Sequence, residues 1–266
     1  LGVFLSTNGY MYAWDDQHLE IPLLKSLIDP ELYPNDYYVD GLKGNFPSFF
    51  YSILAKLITT DQVQGAYFFL FLISRYFLFF WCYKIWHLIS KDKFTALICS
   101  LSFILLGRVE EFLYRTFSHQ EFALGIIMAG LYYFYKDRFI WAAAILGLAA
   151  NFHLVYSLFP MIYLNVFLLI FWKERKWETL VKTNAVFLLV ACPVLILAVK
   201  KYLFSAPGVH PPVSEWMPLY YLACPQNFIF NATPLHALTS SFKTFFIATR
   251  DYIFLFAFYL INITFS

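Results

Sequence analysis

Carboxylates are concentrated in one stretch near the start of the chain, directly after its first apolar run. Residues 12–51 contain Asp15, Asp16, Glu20, Asp29, Glu31, Asp36 and Asp40, and only Lys25 and Lys43 oppose them. Asp16 and Glu20 are four residues apart and would share a face if this part is helical. Together with the amide of Gln17 and the imidazole of His18, such carboxylates can act as a general base or bind a divalent cation. The alternative is an acidic helix end that is simply solvated.

A second group of ionisable residues lies in GRVEEFLYRTFSHQEF, residues 107–122, between two apolar runs. It contains Arg108, Glu110, Glu111, Arg115, His119, Gln120 and Glu121. A carboxylate or His119 could bind an acceptor or a metal here. An arginine could bind a phosphate, because its guanidinium donates two parallel hydrogen bonds. The alternative is that Glu111 and Arg115, four residues apart, form an ion pair.

Arg75 lies inside the apolar run FLFLISRYFLFFW. An unpaired cation is costly in such a place, so we expect Arg75 to face protein or a polar cavity and not lipid tails. His153, in AANFHLVYS, is expected to be a structural hydrogen-bonding group rather than a ligand.

The elements that position these residues are expected to be membrane helices. Hydrophobic residues make up 61% of the chain and charged residues 14%, whereas soluble domains average about 25% charged residues. The composition predicts an integral membrane protein, and it predicts an all-α one because a lipid-exposed backbone must satisfy its own hydrogen bonds. The sequence contains no basic stripe or nucleic-acid motif, and no glycine-rich phosphate loop or nucleophile elbow.

The apolar runs predict a polytopic transmembrane helical bundle of about eight spans, within a single domain over residues 1–266 that is trimmed at both ends. The spans are expected near 1–14, 62–86, 94–107, 120–135, 139–151, 153–172, 183–204 and 242–263. A break at Asn151 separates two of them, with one long tilted helix as the alternative. With these spans, three basic clusters fall on the same side of the membrane, which is then predicted to be the cytoplasmic side. The clusters are Lys84, Lys91 and Lys93; Lys136 and Arg138; and Lys173, Arg175, Lys176 and Lys182. The loops at 15–58, 108–119 and 205–241 are therefore expected to be external.

The first external loop is predicted to be ordered. Leu19, Leu23, Leu24, Leu27 and Ile28 have helical spacing, which is typical of an amphipathic helix on a membrane surface. Pro30 and Pro34 end it in a turn, and PSFFYSILAKLI predicts a second short interfacial helix.

This order of features resembles the GT-C superfamily of polytopic glycosyltransferases, which use polyprenyl-phosphate-linked sugars. The residues that carry the resemblance are Asp15 and Asp16 at the exit of the first helix, the following HLEIPLLKSLIDPELYPNDYYV, then GNFPSFFYSIL and the aromatic span containing Arg75. Within the superfamily, the run from Asp16 through Pro22 to Asp36 is most similar to uncharacterised bacterial membrane proteins. The resemblance covers roughly residues 10 to 175, and the second loop departs from it because Glu-Glu stands there without an Asp-x-Asp pattern.

The resemblance implies sugar transfer from a polyprenyl-phosphate donor to an acceptor at the external face of a bacterial inner membrane. Asp16 is the first choice for the catalytic carboxylate and Asp15 the second. The candidate substrate- and phosphate-binding residues are Arg108, Arg115, Glu111, His119 and Arg75. A divalent cation, Mg²⁺ or Mn²⁺, would have Asp16, His18 and Glu111 as candidate ligands.

Two other classes of function stay open at the level of sequence. A transporter or lipid flippase would need a polar pathway with broken helices near the midplane, to which Arg75 and the Asn151 break are the only pointers. A non-catalytic subunit of a membrane complex would use its aromatic-rich helices as packing surfaces. Convergence of Asp15 or Asp16 with a polar group of the second loop would favour the enzyme.

Overall fold

A computed structural model describes residues 1–14, 16–45, 48–106, 115–171, 173 and 177–204. Every regular element among these residues is helical, so the all-α prediction is confirmed for this part of the chain. Residues Leu1–Phe204 form one compact unit. The predicted loop at 205–241 and the predicted span at 242–263 lie outside the described residues, as do Asp15, Arg108 and Glu111.

The helices follow the apolar runs closely. Their bounds are α1 Gly2–Asn8, α2 Gln17–Ile28, α3 Tyr37–Asn45, α4 Phe50–Leu54, α5 Val63–Ser90, α6 Lys93–Leu106, α7 His119–Tyr135, α8 Phe139–Ala150, α9 Leu154–Ile170 and α10 Trp177–Phe204. A short 3-10 turn, Thr60–Gln62, precedes α5. The largest differences from prediction are at the ends, because α1 has only seven residues and α10 begins before the predicted 183.

The first loop is made of short helices, as the spacing of its leucines predicts. The helix α2 ends at Ile28, just before the Pro30 turn. The helix α3 was not predicted, and it begins where Asp36 Oδ1 accepts hydrogen bonds from the backbone N–H groups of Tyr38 and Val39, at 2.9 and 3.1 Å. The helix α4 is shorter than the predicted second interfacial helix. This segment is therefore neither a tail nor a full span.

The predicted break between α8 and α9 is present, and Asn151 holds it in place. Its side-chain amide donates to the carbonyl of Gly147 in α8 (3.0 Å) and to the carbonyl of Val190 in α10 (2.9 Å). The carbonyl of Asn151 accepts from the backbone N–H of Phe49, and Ser48 donates to the carbonyl of Phe152 (2.6 Å). The break thus joins α8 and α10 to the first loop.

The helix directions bring the polar loops together at one end. Arg75 is beside Glu121 and Trp81 packs on Tyr132 at 5.2 Å, so α5 and α7 run parallel. A tight turn at 136–138 reverses the chain into α8. Phe167, late in α9, returns to within 5.2 Å of the Phe134 ring. The described basic residues of the three clusters therefore lie towards the opposite end from the first loop, in agreement with the predicted sidedness.

Two described helices are long and apolar enough to cross a membrane, Thr60–Ser90 and Trp177–Lys200. Three shorter apolar helices accompany them, and they are Lys93–Phe103, Phe139–Ala150 and Leu154–Ile170. At about 1.5 Å per residue, a 12-residue helix such as α8 is about 18 Å long and does not by itself reach the roughly 30 Å of a bilayer core. The predicted count of eight spans remains a prediction.

The close approach of α8 and α10 depends on Gly147, and this gives a first testable prediction. A Cβ at Gly147 would lie 2.9 Å from the backbone carbonyl oxygen of Phe187 and from Cβ of Val190. We expect Gly147→Ala to lower the free energy of unfolding by about 1–3 kcal/mol, since a backbone atom cannot move aside easily. Thermal denaturation in detergent, followed by size-exclusion chromatography, measures this loss. Gly65→Ala in α5 is the matched control, since nothing lies within 4 Å of its Cβ position; an equal loss in both variants would contradict the packing argument.

Candidate functional site

Polar side chains gather inside the apolar structure where α2, α4, α5 and α7 meet. These residues are all less than 9% exposed, and they are Gln17, Glu20, Tyr51, Tyr67, Arg75, His119 and Glu121. They come from four helices that are distant in sequence. Buried polar groups of this kind need partners in the protein, so we term these seven residues the buried polar cluster.

His119 is at the centre of the cluster. Its Nδ1 lies 2.8 Å from Glu20 Oε1 and 2.8 Å from the hydroxyl of Tyr51. Its ring stacks on that of His153, with centroids 5.0 Å apart and an interplanar angle of 26°. His153 in turn accepts a hydrogen bond from the backbone N–H of Tyr156 and so caps α9. The prediction of a structural hydrogen-bonding role for His153 is confirmed.

Burial sets the protonation states of the central groups. Loss of solvation raises the pKa of Glu20 well above its ordinary value, and the nearby Glu121 and Asp16 raise it further, while a hydrogen bond from Tyr51 lowers it. Burial also lowers the pKa of His119 to about 4, against the opposing influence of Glu121 and Asp16. Both shifts favour the neutral form of the group, because burial penalises the charged form of each.

Arg75 lies against Glu121, which is in the first turn of α7, three residues after the N-cap residue Ser118. Its Nη2 is 3.7 Å from Glu121 Oε1, and its guanidinium carbon is 5.5 and 5.3 Å from the ring centroids of Phe4 and Phe71. Glu121 Oε2 also accepts from the backbone N–H and the hydroxyl of Ser118, at 2.7 and 2.5 Å, in a capping box at the start of α7. The prediction that Arg75 faces protein is confirmed.

Asp16 lies at the exposed edge of the cluster. It is the N-cap residue of α2, and its Oδ2 is 3.4 Å from the amide nitrogen of Gln120. Between Asp16 and the interior, Gln17 Oε1 accepts from the backbone N–H of Ala13 (2.6 Å) and its Nε2 donates to the carbonyl of Phe117 (2.8 Å). The first loop and the residues before α7 are therefore joined directly.

The remaining predicted site residues are not all in the cluster. His18 is exposed on α2. Arg115 is exposed, and its backbone carbonyl accepts from the N–H of Met11 (2.8 Å). Within the described part of the chain, no three His, Cys, Asp or Glu side chains are placed to hold a metal ion. The described members of the predicted metal set, Asp16 and His18, thus give no support to a bound Mg²⁺ or Mn²⁺.

Sequence reasoning missed the roles of Glu20 and Tyr51. A signal for Glu20 was present, because Leu23 and Leu24 follow it by three and four residues and are both buried. That spacing places Glu20 on the apolar face of α2. Tyr51 lies among aromatic residues that look alike in sequence, so nothing distinguishes it before the fold is known.

Comparison with known proteins found no match to any family model, any curated protein or any solved structure. The chemistry of the cluster is therefore the ground on which a function is proposed.

The Arg75–Glu121 pair gives a second prediction. We expect Arg75→Met to lower the free energy of unfolding by about 3–5 kcal/mol, because it leaves a carboxylate buried without its cation. Adding Glu121→Gln should restore much of that loss, since the amide oxygen can still accept from Ser118. Thermal denaturation of the two single variants and the double variant in detergent measures the coupling. Strictly additive losses would show that the two side chains do not stabilise each other.

Proposed function

We propose that the protein is a membrane glycosyltransferase of the GT-C type, which moves a sugar from a polyprenyl-phosphate donor to an acceptor at the external face. The observation that carries the proposal is the meeting of the first-loop carboxyl groups with the start of α7. Asp16 lies beside Gln120, and Glu20 is hydrogen-bonded to His119 one turn further in. A GT-C enzyme needs first-loop carboxyl groups close to the polar residues of its second loop, whereas a non-catalytic scaffold does not.

In the proposed reaction, Asp16 acts as the general base. It takes the proton from an acceptor hydroxyl, whose oxygen then bonds to the anomeric carbon of the donor sugar. The bond from that carbon to the phosphate oxygen breaks, and the polyprenyl phosphate leaves with the electron pair. Direct displacement inverts the anomeric centre. Asp16 suits this role because it is exposed to solvent and lies at the edge of the polar cluster.

A phosphate needs a cation that it can reach. Arg75 is 0% exposed and lies against Glu121, so we assign it to positioning α7 against α5 and not to the donor phosphate. Arg115 is exposed just before α7 and is the better candidate among the described arginines. Arg108 and Glu111 remain candidates from the sequence.

A membrane location is supported by large apolar side chains on the outside of the helices. More than half of each of these side chains is exposed: Phe69, Trp141, Tyr163 and Leu189. Apolar surface of this extent is unusual on a protein that faces water. With the two helices long enough to span, it supports a location in a membrane, which we propose is a bacterial inner membrane crossed several times.

A transporter is the second candidate, and one observation favours it. The α8–α9 break lies beside buried ionisable groups, with the His153 ring on His119, and broken helices near buried charges are a feature of transporters. The two candidates differ in what happens to the sugar. A transferase attaches it covalently and needs the carboxylate of Asp16 at the edge, whereas a transporter carries its substrate unchanged and depends on the buried groups.

The third prediction tests the general base. We expect Asp16→Asn to reduce sugar transfer by about 100- to 10,000-fold, which is the contribution of a positioned general base. Expression and folding should be retained, because an exposed isosteric change seldom costs more than about 0.5 kcal/mol. The measurement is the transfer of radiolabelled sugar from a polyprenyl-phosphate donor in membranes that contain the full chain.

Asp61→Asn is the matched control, since Asp61 is another exposed carboxylate, before α5, and it should transfer sugar normally. Activity of Asp16→Asn within a few-fold of wild type would remove Asp16 from the role. The same result in the double variant with Asp15→Asn would reject the first-loop mechanism.

A further inference from the structure

Two oxygen atoms of the buried cluster have no hydrogen-bond partner among the residues that the structure describes. They are Oε2 of Glu20 and the hydroxyl of Tyr67, and the two side chains are 1% and 0% exposed. An unsatisfied buried polar group is costly, and native proteins nearly always satisfy such groups. Both side chains belong to helices that contact Phe117, since the Tyr67 ring packs on it and Gln17, one turn before Glu20, donates to its carbonyl, so a single bound molecule with hydroxyl groups can satisfy both.

The surroundings of these two atoms are aromatic. The Tyr67 ring meets Phe117 edge-on, with centroids 5.4 Å apart, and meets Tyr12 in the same way at 6.3 Å. Phe50 packs on the other side of Phe117 at 5.7 Å. Apolar walls with a few fixed polar groups are typical of small-molecule sites. Aromatic rings suit the C–H faces of a sugar, and a carboxyl group with a phenol suits its hydroxyls.

The charges around Glu20 favour a neutral ligand. A phosphate or carboxylate would approach the negative charges of Glu121 and Asp16, which already act on Glu20. Burial raises the pKa of Glu20 and so disfavours the charged carboxylate that a bound cation would need. The one arginine of the cluster, Arg75, lies against Glu121.

The segment Gly9–Trp14, which we term the strap, runs beside Tyr67, since the Tyr12 ring packs edge-on against the Tyr67 ring, and its backbone is strained at Ala13. Gly9 has φ 74° and Ala13 has φ 57°, and a positive φ is uncommon for a residue other than glycine. Strain of this kind is often found at functional sites. The strap is fastened by Met11 N–H to the Arg115 carbonyl and by Ala13 N–H to the Gln17 side chain, so it can open where those two hydrogen bonds break.

We propose that Glu20 Oε2 and the Tyr67 hydroxyl bind the hydroxyl groups of a neutral sugar beneath the strap. That this sugar is the acceptor rests on the proposed function, whereas the binding site itself does not. In the transferase, Glu20 and Tyr67 hold a hydroxyl that does not react, and the reacting hydroxyl faces Asp16, which precedes Glu20 by one helical turn. Glu20 and Tyr67 thereby set which acceptor is used.

The experiment measures sugar binding to the full chain in detergent, without any donor. The probes are the methyl glycosides of glucose, mannose, galactose and N-acetylglucosamine, added singly while the thermal transition and saturation-transfer NMR signals are recorded. We expect at least one of them to raise the Tm of the wild type saturably. Tyr67→Phe should weaken that binding about 5- to 10-fold, because one neutral hydrogen bond is lost, and Glu20→Gln should weaken it as well.

Tyr67→Phe keeps the ring, and its Tm without sugar should equal or exceed that of wild type. Ser157→Ala is the matched control, since Ser157 is 0% exposed and its hydroxyl also has no partner among the described residues, but it lies in α9. Its sugar binding should be that of wild type. The proposal is overturned by unchanged affinity in both Tyr67→Phe and Glu20→Gln, or by the absence of a saturable response to all four glycosides.

Transfer assays on the same variants separate this proposal from the proposed function. Sugar binding that is weakened in Tyr67→Phe, in a protein that transfers no sugar, would keep the site and reject the transferase. Transfer with an unchanged KM for the acceptor in Tyr67→Phe would keep the transferase and reject Glu20 and Tyr67 as its acceptor site.

Discussion

Polar groups that are removed from water inside apolar helices must find partners in the protein, and the described structure depends on how this chain meets that requirement. The buried cluster draws one or more groups from each of α2, α4, α5 and α7, including Glu20, Tyr51, Arg75 and His119. None of these helices can move away without leaving a buried charge or dipole unpaired, which costs several kcal/mol for a charged group. Apolar side chains can pack in more than one way, whereas these polar pairs have specific partners. The cluster therefore fixes where the first-loop helices lie on α5 and α7.

The ends of two helices strengthen this arrangement. The helix α7 begins at His119 and α9 begins directly after His153, whose rings stack. A helix N-terminus carries about half a positive charge, and two such ends lie side by side here. Their potential disfavours an imidazolium and favours carboxyl groups, in the same direction as the burial of His119. Glu121, in its capping box, compensates the end of α7, and this explains why its carboxyl can lie in an apolar interior.

Much of the fold was predictable from the sequence, and the reasons are local. Hydrophobic runs and the breaks at Pro30 and Asn151 predict α2, α8 and α9, because a helix boundary depends on a few adjacent residues. Arg75 was predicted to face protein because exposing an unpaired cation to lipid tails costs free energy. The helix α3 was missed, since its start depends on the Asp36 side chain capping the backbone. The number of membrane spans cannot be read from run length alone when helices as short as α8 pack against longer ones.

The candidate site was only half predictable, and the difference lies in the distance along the chain. The carboxylates of the first loop and the polar residues before α7 stand out individually in the sequence. Their pairing joins positions about 100 residues apart, as in Glu20 with His119 and Asp16 with Gln120, and no local pattern contains it. The choice of Asp16 first and Asp15 second was therefore made without knowing the environment of either, or that Glu20 is the carboxyl that reaches His119.

The structure separates the environments of Asp16 and Glu20 by a single turn of α2. Asp16, at the N-cap, stays in contact with solvent, whereas Glu20 turns onto the face that packs on α4 and α7 and is 1% exposed. The pKa of Glu20 rises for that reason, which favours its protonated form, and a protonated carboxyl can both donate and accept a hydrogen bond. Pairs of acids with different surroundings commonly divide their roles in this way. Under the proposed function, the same four-residue spacing that places Asp16 and Glu20 one turn apart gives them different roles, with proton transfer at the edge and recognition inside.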